Sequence, residues 1–437
     1  MTAQQTLAAF VTDLETADIP DRVRDRAGLT IADTVGAILG GSRDETVQSL
    51  ASEWSQQTTG SAAVLGTEDV MTAPHLAAFC NGTAGTVLEL DEGHRFAAGH
   101  PAIHVLPALL TETDASGEDL LRSFVAGYEV AVRTAEALGP LAEGYHTHGV
   151  WGAVGGAAAV ASSRGLSASQ VETAMAIAAN YAQHTRFEAA TEGATVRNSY
   201  AGMSNLASLV AVDQAMAGFS GLDGGVLRHL ELASAEGVSE EALWRDLGER
   251  WEIERGYFKV HSACRYTHAV LDAVLSMRED IDPATVEAVT VGTYPAAARL
   301  TETRPQNALQ ARFSIPFAVG TALHHGNTDP DAFSTDAIPP AVLELAECVT
   351  VTVDEEVAAR APEQRGANVT VETTSGTIAR EVRTPRGGEH RPLSESQLRE
   401  KFEMLVAPLL GSERTEQLWQ SARQPETPRR LTALAQR

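Results

Sequence analysis

The chain has 437 residues, 43% of them apolar, and its 33 basic and 58 acidic side chains give a formal net charge of −25. This length exceeds what one hydrophobic core usually organises, so two domains are expected. The strong negative charge argues against nucleic acid or an anionic membrane as a partner, because both would be repelled by an acidic surface.

Apolar residues recur at three- and four-residue spacing from residue 4 to about 250, which is typical of consecutive helices. After about residue 283, short β-branched runs replace this pattern, at 286–293, 347–353, 368–374 and 377–382. Helical spacing returns from Ser394. The chain is therefore predicted to be mainly α, with a large all-helical domain of residues 1–268 and 394–437 and a smaller inserted α+β domain of residues 269–393.

Only two of the 33 basic residues are lysines, Lys259 and Lys401. A surface that exchanges lysine for carboxylates is expected where concentrated salt screens self-repulsion, so we predict a halophilic host. The alternative is an ordinary acidic protein with an arginine bias from a GC-rich genome. The first fifteen residues include no basic residue, and no run approaches the roughly 20 apolar residues that cross a bilayer, so a cytoplasmic location is predicted.

The three cysteines, Cys80, Cys264 and Cys348, are far apart and form no CxxC pair. This spacing does not support a disulfide framework, a structural zinc site or an iron–sulfur cluster. The glycines of GAVGGAAA at 152–159 follow no predicted strand, so close helix packing is a better interpretation than a phosphate-binding loop. We expect chemistry without redox steps and without a cofactor.

The histidines form doublets in segments that also contain glycine, which lie between predicted helices where polar side chains can converge on a cleft. Such doublets could be metal ligands or proton-transfer groups. Residues 255–268 add a cluster of arginine, histidine and cysteine around Lys259. A desolvated lysine can hold a carboxylate or transfer a proton, whereas Lys401 has the sequence context of an ordinary residue on a helix surface.

Seven segments occur in this order: ADTVGAILGG (32–41), NGTAGTVLELDEGH (81–94), HPAIHVLPALL (100–110), GYEVAVRTAEAL (127–138), GYHTHGVWGAVGGAAAVASSRGLS (144–167), FKVHSACRYTHAVLDAV (258–274) and PRGGEHRPLSESQLREKF (385–402). Together they resemble the MmgE/PrpD family over nearly the whole chain. That family includes 2-methylcitrate dehydratase, cis-aconitate decarboxylase and iminodisuccinate epimerase. The resemblance implies a homodimer and an active site between the two domains that uses no metal.

The resemblance also implies the site residues. The implied catalytic residues are Asp91, His100, His146, Lys259 and Tyr294. The residues expected to bind the substrate are Tyr145, Arg197, Tyr200, His261, Cys264 and Arg265. The chain departs from the family where TKxLHxG is replaced by VRNSYAG, which places Arg197 at the lysine and Tyr200 at the histidine. Arginine can bind a carboxylate bidentately but does not release its proton at ordinary pH.

The family's reactions begin at a carbon next to a carboxylate, so they need cations to hold the substrate and a neutral-pH acid/base to move a proton. We therefore predict a metal-independent lyase acting on a small polycarboxylate, resembling 2-methylcitrate dehydratase. The alternatives on the same fold are a cis-aconitate-type decarboxylase and an epimerase of imino- or amino-dicarboxylates. Two further alternatives are a non-catalytic binding protein and a metallohydrolase with the ligands Asp91, His94, His100, His146 and His148.

Overall fold

The computed structural model describes residues 1–437, and helices fill most of the first half. The first eleven helices are α1 (Ala3–Asp13), α2 (Asp21–Gly41), α3 (Glu45–Gln57), α4 (Pro74–Val87), α5 (Pro101–Leu109), α6 (Gly117–Leu138), α7 (Gly152–Ser163), α8 (Ala168–Asn180), α9 (Glu188–Thr191), α10 (Tyr200–Met216) and α11 (Gly225–Leu230). Two short antiparallel pairs lie among them, β1 (Ala62–Ala63) with β2 (Met71–Thr72) and β3 (Gly93–His94) with β4 (Gly256–Tyr257). None of the helices combines the length and the apolar character needed to cross a membrane.

Local sequence explains where the long helices begin. Ser116 caps α6 and Asp119 returns the hydrogen bond, which forms a capping box that satisfies free backbone N–H groups of the first turn. The helices α6 and α7 then pack closely because Gly127 and Gly155 lie between them, and a Cβ on Gly155 would lie 2.5 Å from the Cβ of Ala131. The glycine-rich segment at 152–159 therefore serves helix packing, as the sequence predicted.

The second part of the chain forms a four-stranded mixed sheet with helices packed against it. Its strands are β5 (Val286–Thr293), β6 (Val349–Val353), β7 (Ala367–Thr373) and β8 (Gly376–Val382). The sheet order is β6-β5-β7-β8; β5 and β6 are parallel, and the other pairs are antiparallel. The accompanying helices are α12 (His268–Met277), α13 (Pro295–Ala298), α14 (Ala308–Arg312), α15 (Ile315–His325), α16 (Pro340–Glu347) and α17 (Glu355–Ala358).

The C-terminal helices are α18 (Glu395–Leu410), α19 (Ser412–Arg423) and α20 (Pro428–Leu434). Both α18 and α19 pack against α2, and Phe402 and Trp419 join the hydrophobic core of the N-terminal helices. A second hydrophobic core contains the inner residues of the sheet together with α12 and α15. The prediction of a mainly α fold is confirmed.

Candidate active site

The candidate site is built around residues 89–94, which follow α4. The antiparallel pairing of β3 with β4 places this segment beside Lys259, although about 165 residues separate the two in sequence. Glu89 has φ +51°, a left-handed backbone conformation that is uncommon for a non-glycine residue. Strained conformations of this kind persist only where surrounding contacts determine them.

Four buried charged groups meet beside this segment. The Glu89 carboxylate accepts a hydrogen bond from Lys259 Nζ at 2.9 Å and forms an ion pair with the Arg197 guanidinium. Lys259 Nζ also lies 3.7 Å from Asp91 Oδ1. Burial would raise the pKa of Glu89, but the positive charges of Arg197 and Lys259 outweigh it and lower that pKa. Two cations and two carboxylates therefore balance one another within the protein.

The second lysine of the chain binds the same segment. Lys401 Nζ donates hydrogen bonds to the Leu90 carbonyl oxygen and to Asp33 Oδ1, each at 2.6 Å. The expectation that Lys401 is an ordinary surface residue is therefore wrong. Sequence context did not show this role, because the partner carbonyl lies more than 300 residues away. Both lysines of the chain thus hold residues 89–91 in place.

His100 immediately precedes α5 and is oriented by two acceptors. Its Nδ1 lies 2.7 Å from the Glu92 carbonyl oxygen and 3.1 Å from Asp91 Oδ2. Because the Glu92 carbonyl oxygen can only accept a hydrogen bond, Nδ1 must carry a proton, which leaves Nε2 available to a substrate. Burial would raise the pKa of Asp91, but His100 and Lys259 lower it below its ordinary value, so the carboxylate is ionised.

His146 presents the opposite tautomer. Its Nδ1 accepts a hydrogen bond from the backbone N–H of His148 at 3.0 Å, so in the neutral ring Nε2 carries the proton. Burial, followed by the charge of Arg197, holds the pKa of His146 well below its usual value. The ring stacks on Phe187 with 5.7 Å between centroids. His146 is therefore a neutral hydrogen-bond donor held in a fixed orientation.

Two further histidines extend the cluster behind His100. The ring centroid of His148 lies 4.7 Å from that of His100 and 4.9 Å from that of His104. His148 Nε2 and both ring nitrogens of His104 are buried without a hydrogen-bond partner. Burial and then the charge of His100 lower the pKa of both rings, to about 3 for His104. Both rings are therefore neutral, and their buried nitrogen atoms lie beside His100 without hydrogen-bond partners.

A cavity of about 100 Å³ lies between the helical part and the sheet-containing part of the chain. Six of the predicted site residues line it: His100, Tyr145, His146, Arg197, Cys264 and Arg265. Asp91 and Lys259 lie behind this wall and contact it through His100 and Glu89. Tyr200 packs against the His146 ring at 5.7 Å. The structure thus brings nine of the eleven predicted residues into or against one cavity.

The other two predicted residues, His261 and Tyr294, do not reach the cavity. His261 is held by Thr328 Oγ1 at 2.6 Å and by Asp272 Oδ1 at 3.2 Å, on the side of the sheet-containing part. Tyr294 packs edge-on against Tyr266, with 5.8 Å between ring centroids. Tyr294 therefore contacts the cavity wall from behind through Tyr266, whereas His261 is bound within the sheet-containing part.

The sequence analysis did not select Glu89, His148 or Arg365 as substrate-site residues, although all three line the cavity. Glu89 could have been found, because it lies two residues before Asp91 in the same motif. His148 belonged to a recognised histidine doublet, considered for metal binding or proton transfer, but was named individually only as a metal ligand. Arg365 lies in a loop with no motif, and only the packing of the two parts of the chain brings it to the cavity.

The arrangement favours acid–base chemistry over the other options considered. Burial raises the pKa of the Cys264 thiol to about 11, so it is not a thiolate nucleophile. His94, a proposed metal ligand, is bound to the Glu252 carbonyl oxygen at 3.1 Å and accepts from the Ala97 N–H. No group of three or more histidine, cysteine, aspartate or glutamate side chains is arranged to hold a metal ion.

A helical body and a mixed four-stranded sheet, with a buried histidine–carboxylate pair beside the cavity between them, are the features to compare with known proteins. The chain belongs to the MmgE/PrpD family: residues 5–230 match the MmgE/PrpD N-terminal domain and residues 261–424 the C-terminal domain. This membership supports a lyase-type function.

Curated relatives cover nearly the whole chain at low identity. A cis-aconitate decarboxylase-like protein of Aspergillus oryzae is 26% identical, over 96% of this chain and 94% of its own length. The cis-aconitate decarboxylase of Homo sapiens is 27% identical, over 95% of this chain and 90% of its own. That of Aspergillus terreus is 23% identical, over 94% and 90%. The chain therefore resembles these decarboxylases along their full length.

Proposed function

We propose that this protein is a lyase that decarboxylates a small unsaturated tricarboxylate of the cis-aconitate type. The sequence motifs predicted dehydration of 2-methylcitrate as the main activity, with decarboxylation as an alternative. The full-length relatives named above support decarboxylation instead. The observation that carries the proposal is the His100–Asp91 pair, because its geometry suits the one proton that this reaction requires.

Decarboxylation breaks a carbon–carbon bond, and CO₂ leaves without the bonding electron pair. In an unsaturated substrate that pair moves through the double bond to a carbon next to another carboxylate, where it must capture a proton. The substrate trianion and one proton thus give CO₂ and a dianion. His100 in its imidazolium form would deliver this proton from Nε2, while ionised Asp91 stabilises the imidazolium at Nδ1.

Charge that develops next to the second carboxylate needs hydrogen-bond donors already in place. His146 supplies one, because its pKa is held well below the usual range and its Nδ1 is occupied by the His148 N–H. It therefore offers a neutral Nε2–H donor. In this proposal His100 transfers the proton and His146 stabilises the developing charge.

The direct test is to incubate the purified protein with cis-aconitate and measure released CO₂ and the product by NMR. In D₂O, the product should carry one deuterium at the carbon that captures the proton. His100→Asn should lower the rate by about 10²- to 10⁴-fold, the usual contribution of a general acid. The exposed His325 provides a matched control, since His325→Asn should keep the wild-type rate.

The same assay should include 2-methylcitrate, citrate and amino- and imino-dicarboxylates. Faster dehydration of 2-methylcitrate than CO₂ release from cis-aconitate would contradict the proposal and restore the dehydratase interpretation. An unchanged rate in His100→Asn would contradict the assigned proton donor.

A further inference from the structure

Two arginines that line the cavity have no carboxylate partner. Arg265 is buried, and its guanidinium donates to the backbone carbonyl oxygens of Arg386 at 2.8 Å and Pro385 at 3.4 Å. It also stacks over the Tyr257 ring at 4.2 Å. Arg365 donates to the Arg95 carbonyl oxygen at 3.0 Å and lies over the Tyr266 ring at 5.8 Å. Neither guanidinium has a carboxylate oxygen within ion-pair distance.

This lack of partners is unusual in a chain with 58 acidic residues. Buried or half-buried charges are normally paired, because removal of a cation from water is costly without a counter-charge. Carbonyl oxygens and aromatic faces fix the two guanidiniums in position but do not neutralise them. An arginine fixed in this way can bind an anion without rearranging. Its planar guanidinium can donate two parallel hydrogen bonds to one carboxylate.

Arg365 also lines more than one cavity. It lines the inner cavity, a larger adjoining cavity of about 590 Å³, and a small side pocket that contains Arg265 and Arg95. Glu363 and Glu389 border the side pocket, but their carboxylates form no ion pair with these arginines. Arg365 therefore lies where the inner cavity, the larger cavity and the side pocket meet.

Two of the cations predicted at the site, Arg197 and Lys259, already have carboxylate partners. Glu89 pairs with both Arg197 and Lys259, and Asp91 lies close to Lys259, so this cluster carries no net charge. A substrate with several carboxylates needs positive charge from another part of the cavity. Arg265 and Arg365 are the arginines of the cavity wall that remain unpaired.

We propose that Arg265 and Arg365 form a carboxylate-binding subsite on the sheet-containing side of the cavity, which selects ligands with an additional, distal carboxylate. This inference rests on the proposed function, in which the ligand is a small tricarboxylate, and it names the residues that distinguish a tricarboxylate from a dicarboxylate. Arg365 is a specificity-determining residue at the junction of these cavities, supplied by the loop that precedes β7.

Binding of an unreactive ligand tests the subsite without turnover. Propane-1,2,3-tricarboxylate has no double bond, and succinate is its counterpart with one carboxylate fewer. Calorimetric titration at constant salt should show tighter binding of the tricarboxylate by the wild-type protein. Arg365→Gln should weaken tricarboxylate binding by about 10- to 100-fold, as expected for loss of a charged hydrogen-bond donor, and should leave succinate binding nearly unchanged.

Two variants complete the design. Arg380→Gln removes an exposed, unpaired arginine of β8 and should bind both ligands like the wild type. Arg365→Lys keeps the charge and should recover part of the lost affinity. Thermal unfolding of each variant verifies that the fold is intact.

The outcomes separate the two proposals. Wild-type tricarboxylate affinity in Arg365→Gln would overturn the subsite and leave the proposed decarboxylation standing. Loss of tricarboxylate selectivity in Arg365→Gln, in a protein that releases no CO₂ from cis-aconitate, would support the subsite and overturn the reaction. Failure of the wild-type protein to bind the tricarboxylate would overturn both.

Discussion

Glu89 changes the interpretation of Arg197, which the sequence assigned to substrate binding, and of Lys259, which it assigned to catalysis. Arg197 and Lys259 both form ion pairs with the same buried carboxylate, that of Glu89. Arginine at position 197 therefore has a structural partner within the chain. Where the family has a lysine, this chain has an arginine that forms an ion pair with Glu89. That ion pair does not require the guanidinium to release a proton.

Removal of either cation should therefore affect stability as well as activity. Arg197→Met or Lys259→Met leaves a buried carboxylate without its full counter-charge, so each should lower the free energy of unfolding by about 3–5 kcal/mol. Urea denaturation followed by circular dichroism measures this loss. Arg304→Met is the control, because its ion pair with Glu347 is exposed and should contribute at most about 1 kcal/mol. Equal stability of the Arg197 and Arg304 variants would refute the counter-ion role of Glu89.

His104 should make the protein sensitive to acid. Burial lowers the pKa of this ring to about 3, below the value of 6.5 for an exposed histidine. A depressed folded-state pKa contributes stability that is present above pH 6.5 and is lost as the pH falls toward 3. Between pH 6.5 and 5 the loss from this residue is roughly 2 kcal/mol.

His104→Leu removes the titrating ring together with two buried nitrogens that have no partner. The variant should lose less unfolding free energy than the wild type when urea titrations at pH 7 and pH 5 are compared. His390→Leu, at an exposed position, should retain the wild-type difference. The same pH dependence in wild type and His104→Leu would show that this ring does not stay neutral in the folded protein.

Among the structural elements, strands were predicted most closely where β-branched residues dominate. Strand β5 has the predicted bounds of 286–293, β7 is shifted from its predicted bounds by one residue at both ends, and β8 begins one residue earlier than predicted. The pairing of β3 with β4 could not be predicted, because two-residue strands carry no periodicity and their register depends on distant packing. Since this pairing positions residues 89–94 beside Lys259, the sequence could not predict how the residues of the candidate site contact one another.

The contact between α6 and α7 leads to a prediction at this scale. A Cβ at Gly155 would lie 2.5 Å from the Ala131 Cβ and 2.8 Å from the Gly127 carbonyl oxygen. Alanine stabilises a helix by about 1 kcal/mol relative to glycine, but the overpacked interface should destabilise the fold by more than that. We therefore expect Gly155→Ala to lower the free energy of unfolding by about 1–2 kcal/mol. Chemical denaturation measures this loss.

Gly388→Ala is the control, since a Cβ at Gly388 would lie no closer than 3.6 Å to any neighbouring atom. Stabilisation by Gly155→Ala would contradict close packing here.

At the scale of the whole molecule, the excess of acidic groups lies on a surface without free lysines. Lys259 and Lys401 are both bound inside to residues 89–91, so arginines supply every basic side chain on the outside apart from histidine. Many of those arginines already pair with carboxylates, as in Arg399 with Glu403. The remaining carboxylates repel one another, and dissolved salt screens this repulsion. The screening length is about 10 Å at 0.1 M salt and about 3 Å at 1 M salt. The homodimer implied by the family resemblance would bring two such surfaces together and stays a prediction.

We therefore expect the melting temperature to fall when KCl is lowered from about 2 M to about 0.05 M. Light scattering over the same range would show whether a dimer dissociates.

Salt can also stabilise proteins by exclusion from their surface, which does not depend on protein charge. The triple variant Glu249→Gln, Glu372→Gln and Glu400→Gln separates these causes, because it neutralises three exposed, unpaired carboxylates and changes the formal net charge from −25 to −22. If self-repulsion is the cause, the variant should lose fewer degrees than the wild type in dilute KCl. Equal losses would assign the salt effect to exclusion, and a melting temperature independent of KCl would refute the prediction of a halophilic host.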